Sequence, residues 1–177
     1  MQAVVFLLDA IAGLFSALLL LRFMMQAMRI SFAGQFGDFI VRMTNWAVKP
    51  LRRVIPGFSG MDWASVVAAL GIQLLLSTIV VGLAGPGGSA DPGTLVLAVI
   101  GFAIRALLRM AIYILIGAMI LQAVLSWVAP HSPLVRPADQ LTRPLLAPIR
   151  RIVPTVSGVD LSPLVAILLL QVVLMFL

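Results

Sequence analysis

Pro50-Leu51-Arg52-Arg53-Val54-Ile55-Pro56 and Pro148-Ile149-Arg150-Arg151-Ile152-Val153-Pro154 decide the fold, because they are one pattern written twice, 98 residues apart. The register extends outward from them. Thr44 pairs with Thr142, Ser59-Gly60 with Ser157-Gly158, Asp62 with Asp160, Val67-Ala68 with Val165-Ala166, Leu70 with Leu168 and Gln73 with Gln171. Twelve of the thirty positions from 44 to 73 are identical to those from 142 to 171. Compositional bias aligns apolar positions. It does not also align two prolines, two arginines, Ser-Gly-x-Asp and a lone Gln, so the chain reads as an internal repeat.

Around each motif lie apolar runs. Hydrophobic residues make up 62% of the 177 residues and charged residues 10%, where a soluble domain carries about 25% charge. A water-soluble fold would expose that apolar surface, whereas a bilayer accepts it. Residues 3–21, 63–84, about 108–128 and about 161–177 read as four membrane spans, each near the ~20 apolar residues that cross a hydrocarbon core. The first basic residue, Arg22, follows the first run rather than preceding it. That order predicts a retained span, not a signal peptide. The segment 95–104 reads as a short lead-in cut off by Arg105 and Arg109, with one long tilted helix as the alternative. The expected architecture is all-α: a helix–basic loop–helix unit over 1–84, a Gly/Pro-rich connector over 85–94 and a second unit over 95–177.

Two spans per unit are an even number, so the halves enter the membrane in the same direction, a parallel repeat. Both basic loops then share one face. Ten of the twelve Lys and Arg lie in or beside the loops, and the net charge is +6. The positive-inside rule puts that face in the cytoplasm and both termini outside. This placement makes anionic phospholipid, rather than nucleic acid, the expected partner of the charge.

Within the motif, Pro50 and Pro148 on one side and Pro56 and Pro154 on the other predict a break in the helix. Pro130, Pro133, Pro137, Pro144 and Pro148 in the second loop leave room only for a short helix there. In the first loop, residues 35–49 have an amphipathic pattern, with Phe36, Phe39, Ile40, Met43 and Ala47 on one side. Gly60 and Gly158 suit turns, and Asp62 and Asp160 suit N-caps of the following spans. Arg52, Arg53, Arg150 and Arg151 have two readings. They set topology, with or without pairing to the two aspartates, or they clamp lipid phosphate or an acidic partner segment through bidentate forks. Gln73 and Gln171 sit mid-span and read as helix–helix glue or as the lining of a path.

No Cys is present and His131 is the lone His, so thiolate chemistry and Cys-ligated metal are excluded. No catalytic constellation can be built from the remaining residues, and no cofactor is expected. Together with Leu125-Ser126-Trp127 and Leu141-Thr142-Arg143-Pro144-Leu145-Leu146-Ala147-Pro148, the paired motifs resemble the YggT (YlmG) family of bacterial membrane proteins. Trp46, where the second unit has Pro144, and Ser132-Pro133 are the departures. The resemblance implies a multi-pass inner-membrane protein without enzymatic activity, linked to osmotic stress, cell division or assembly. The expected function is a scaffold or assembly factor with a membrane-protein partner or a homo-oligomeric state. The alternative is a small oligomeric channel acting in osmotic stress.

Overall fold

A computed structural model describes residues 2–55, 57, 60–84, 91–153 and 160–177. Six helices follow one another: α1 (Gln2–Ala27), α2 (Gln35–Leu51), α3 (Trp63–Ala84), α4 (Pro92–Val128), α5 (Val135–Arg150) and α6 (Ser162–Phe176). No strand occurs among the described residues. Three of these helices, α1, α3 and α4, are long and apolar enough to cross a membrane. The fourth apolar helix, α6, has 15 residues, about 22 Å at 1.5 Å per residue, short of a ~30 Å hydrocarbon core.

Several boundaries differ from the sequence expectation, for physical reasons. The first helix does not stop at Leu21. It runs on to Ala27 and carries Arg22 inside the protein. The lead-in and third span are one helix of 37 residues. No proline or glycine cluster lies between Ile104 and Leu108, and Arg105 and Arg109 sit on its exposed side, so nothing breaks it. The connector gives way to this helix early. Asp91 caps it, its Oδ2 accepting the Thr94 N–H at 3.2 Å, and Pro92 occupies the first turn, where no N–H is needed. Residues 85–90 of the connector lie outside the described set.

The proline-rich second loop is likewise more helical than expected, with α5 running for 16 residues. Pro137 falls in its first turn, where N–H groups have no helical partner anyway. Pro144 and Pro148 are exposed, while Ala138, Leu141, Thr142 and Leu146 form the buried face. Packing of that face offsets the two lost backbone bonds. Pro50 and Pro148 do not break their helices either, because α2 continues to Leu51 and α5 to Arg150 before a turn. Pro56, Pro154 and Gly158 lie outside the described residues.

The spans α1, α3 and α4 pack together, and the amphipathic helices cover one end of them. Leu19 and Leu20 of α1 meet Val48 of α2 and Ala64, Ala68 and Ala69 of α3. The alanines let the helices approach closely. Leu18 and Met25 of α1, Ile40 of α2 and Leu141 of α5 form a second cluster, which joins the two amphipathic helices at that end. Met119, Leu146 and Ala166 tie α4, α5 and α6 together. Phe36 and Phe39 of α2 face outward, leaving Ile40, Thr44 and Val48 as its buried line. Outward-facing Leu, Phe and Ile side chains along α1, α4 and α6 form the surface offered to lipid.

The start of α2 has no slack. A Cβ on Gly37 would overlap the carbonyl of Phe32, whereas one on Gly71, within α3, would meet open space. Gly37→Ala is expected to cost about 1–3 kcal/mol, the usual range for overpacking, seen as a lower melting temperature in detergent. Gly71→Ala should leave that temperature within a degree or so, or raise it slightly.

Candidate functional site

Arg22 leaves α1 among apolar neighbours, and its side chain is only 6% exposed. A buried guanidinium needs a counter-ion and acceptors. It finds Asp62, with Nε 3.3 Å from Oδ2. Its Nη1 donates to Thr44 Oγ1 at 2.7 Å and to Asn45 Oδ1 at 3.1 Å. Arg52, just after α2, approaches the same carboxylate as a fork, with Nε 3.1 Å from Oδ1 and Nη2 2.6 Å from Oδ2. Ser65, in the first turn of α3, donates to Oδ2 at 2.9 Å. Gln26 closes the knot by donating to the Gly60 carbonyl at 3.1 Å. Gly60 itself has φ +76°, a left-handed turn that suits glycine.

One carboxylate, 1% exposed, thus ties α1, α2 and the start of α3 together. It does not act as a side-chain N-cap. Its oxygens are taken by two arginines and a hydroxyl. Burial pushes the Asp62 carboxyl up, but hydrogen bonds from Arg52 and Ser65 and the charges of Arg52 and Arg22 outweigh it and hold the group below its ordinary value. The hydrogen bond to Asp62 raises the Arg52 guanidinium against the effect of burial.

The second half has a looser version. Arg150 Nε lies 2.9 Å from Asp160 Oδ2, and the two side chains are 39% and 35% exposed. Asp160 Oδ1 accepts the Ser162 N–H at 2.9 Å, one position ahead of the Leu161 cap of α6. Thr142 donates to Ala138 O at 2.9 Å, as Thr44 does to Ile40 O at 2.6 Å. Where Thr44 meets Arg22, Thr142 meets Gln122 Oε1 at 2.9 Å. Gln122 also donates to Asp139 at 3.0 Å.

The four motif arginines therefore divide. Arg52 and Arg150 are held by aspartates. Arg53 and Arg151 are exposed and make no salt bridge among the described residues. Gln73 is buried and donates to Ser16 Oγ at 3.1 Å, joining α3 to α1. Its sequence counterpart Gln171 is exposed on α6. Gln73 also borders a cleft with Asp9, Ser77, Arg105 and Arg109. Asp9 comes within salt-bridge distance of neither arginine.

Arg22 is the site residue that sequence reasoning passed over. Its signal was there: an arginine followed by Phe23-Met24-Met25 stays inside a helix and needs a partner.

A family model described as CCB3/YggT matches residues 1–84 and 101–177. The chain belongs to the CCB3/YggT family. An uncharacterised protein of Pseudomonas aeruginosa is 36% identical over 173 residues, covering 97% of this chain and 86% of the relative. A Vibrio alginolyticus protein from the proC 3′ region is 35% identical, covering 97% and 91%. The uncharacterised protein YggT of Escherichia coli K12 is 33% identical, covering 98% and 88%. No solved structure matches the chain at a significant level.

The two aspartates of this CCB3/YggT chain are expected to differ in weight. Asp62→Asn strands two arginines, one of them deeply buried, and should cost about 3–5 kcal/mol. Asp160→Asn breaks a half-exposed pair and should cost under about 1 kcal/mol. Because the folded Asp62 pKa lies below the unfolded one, its contribution is full above the unfolded value, near 4. It is lost as pH falls through the folded value. Melting temperatures between pH 7 and pH 3 should fall below about pH 4 in the unaltered protein, and the fall should flatten in Asp62→Asn.

Proposed function

We propose that the chain is a non-enzymatic scaffold or assembly factor of the bacterial inner membrane that holds anionic phospholipid, or an acidic partner segment, at its basic face. The carrying observation is the division of the motif. Arg52 and Arg150 hold the loops in shape, which leaves Arg53 and Arg151 exposed one residue further on. Lys49, Arg42, Arg136 and Arg143 are exposed on or beside the same two amphipathic helices. Phe36 and Phe39 supply the apolar contact that lets such a helix lie at a bilayer surface.

The tandem duplication belongs to this reading. The two segments matched by the family model fall on the two units of the sequence repeat. With α6 as a short fourth span, the basic loops lie together at the cytoplasmic face and the termini outside. A lipid-anchored scaffold of this kind suits a role in osmotic stress or cell division.

A second reading has one observation behind it. Gln73, Ser77, Asp9, Arg105 and Arg109 gather polar groups in a cleft of about 350 Å³ between apolar helices. In an oligomer, that cleft would line a path for ions.

The unaltered protein, reconstituted with a mixture of phosphatidylglycerol and phosphatidylcholine, is expected to retain phosphatidylglycerol. Arg53→Gln with Arg151→Gln should lower that retention several-fold while leaving the melting temperature unchanged. Unchanged retention in the double variant would remove the scaffold reading's anchor. Ion flux in proteoliposomes, abolished by Gln73→Leu, would promote the channel reading instead.

A further inference from the structure

The two motifs differ in a space that one has filled and the other has not. In the first half, Arg22 pairs with Asp62, and Gln26, one helical turn later on α1, accepts from Arg52 Nη2 and donates to the Gly60 carbonyl. In the second half, Gln122 takes the threonine contact that Arg22 makes. The residue one turn after it on α4 is the short Ser126, whose hydroxyl donates to its own helix at the Ala123 carbonyl. Both replacements are shorter side chains. A cleft of about 320 Å³ opens in their place, lined by Gln122, Ser126, Trp127, Arg150, Asp160 and Pro163.

The chemistry of this cleft is that of a paired charge. Asp160 is held by one guanidinium where Asp62 is held by two. It stays one-third exposed and open to a second donor. Arg150 lines the cleft beside it, so a lone cation entering there meets repulsion as well. A ligand that brings its own anion does not. Trp127 is 82% exposed at the end of α4, the position at which indoles sit in the headgroup layer. It offers a ring face to a cation. Val128, the next residue, is exposed as well, an apolar contact for an acyl chain.

We propose that this cleft is a headgroup site for an aminophospholipid of the phosphatidylethanolamine type. Its ammonium donates to Asp160 and Ser126 Oγ and lies against Trp127. Its phosphate meets Arg150. The specificity follows from donors. A primary ammonium has three N–H groups, whereas a trimethylated choline has none and is too bulky to reach the carboxylate. Phosphatidylglycerol has no cation for Asp160. The site rests on the duplication proposed above, but it is separate from anionic-lipid binding at Arg53 and Arg151.

Lipid retention by native mass spectrometry from nanodiscs tests it. The discs hold equal parts phosphatidylethanolamine, phosphatidylcholine and phosphatidylglycerol. One phosphatidylethanolamine per chain is expected, enriched roughly tenfold over phosphatidylcholine, as one or more charge-assisted hydrogen bonds supply. In the unaltered protein, N-methylated and N,N-dimethylated phosphatidylethanolamine should fall stepwise between the two. Ser126→Gln, which refills the cleft as Gln26 does in the first half, and Asp160→Asn should each abolish the enrichment. Phosphatidylglycerol retention, which reports the scaffold reading, should stay unchanged in both. Indifference of the unaltered protein to headgroup methylation overturns the proposal, as does enrichment that survives both variants. A polypeptide crosslinking at position 126, with no lipid enriched, also overturns it and gives the cleft to a partner's arginine or lysine.

Discussion

A carboxylate taken out of water must be repaid in charge and hydrogen bonds, and Asp62 is the place where this chain meets that demand. Its partners come from separate elements: Arg22 from α1, Arg52 from the turn after α2, and Ser65 from α3. Removing the carboxylate leaves Arg22 as an uncompensated buried charge. The knot therefore fixes how the first amphipathic helix lies across the ends of the spans. With that helix in place, Ile40 and Val48 have their apolar partners and Arg53 is directed to the outside. Apolar burial alone would hold the helices together in lipid only weakly, because a lipid tail is as good a neighbour as a leucine. Polar contacts such as Gln73 with Ser16 supply what burial does not.

The two halves share a motif but not its surroundings. The first is closed, with an extra arginine on its aspartate and a glutamine bound to the Gly60 carbonyl. The second is open, with Gln122 and Ser126 in the corresponding places. The same division appears among the motif arginines themselves, where one of each pair is engaged and its neighbour is exposed. It recurs in the glutamines, with Gln73 buried against α1 and Gln171 facing outward.

Much of this was legible in the sequence, and the failures share a cause. The apolar runs of α1 and α3 and the amphipathic character of α2 follow from composition and period alone. The motif arginines and aspartates were singled out by their repetition. What sequence reasoning missed depends on contacts between elements far apart in the chain. Arg22 looked like the end of a span because its counter-ion lies forty residues away. Arg105 and Arg109 favoured a split into a lead-in and a span, and the alternative of one long helix, with both arginines on its exposed side, is what forms. The prolines of α5 looked like helix breakers because local propensity does not include the packing of Leu141 and Leu146 against neighbouring helices.

The most direct test of the account is a double-mutant cycle between Arg22 and Asp62, read as unfolding free energy in detergent or bicelles. Arg22→Gln, Asp62→Asn and the pair together isolate the interaction between the two side chains. A buried charged pair predicts a coupling of roughly 1.5–3 kcal/mol or more, with the double variant less harmed than the sum of the singles. A coupling within about 0.5 kcal/mol of zero would mean that the two do not meet as described, and the first half of the molecule would have to be held together in another way.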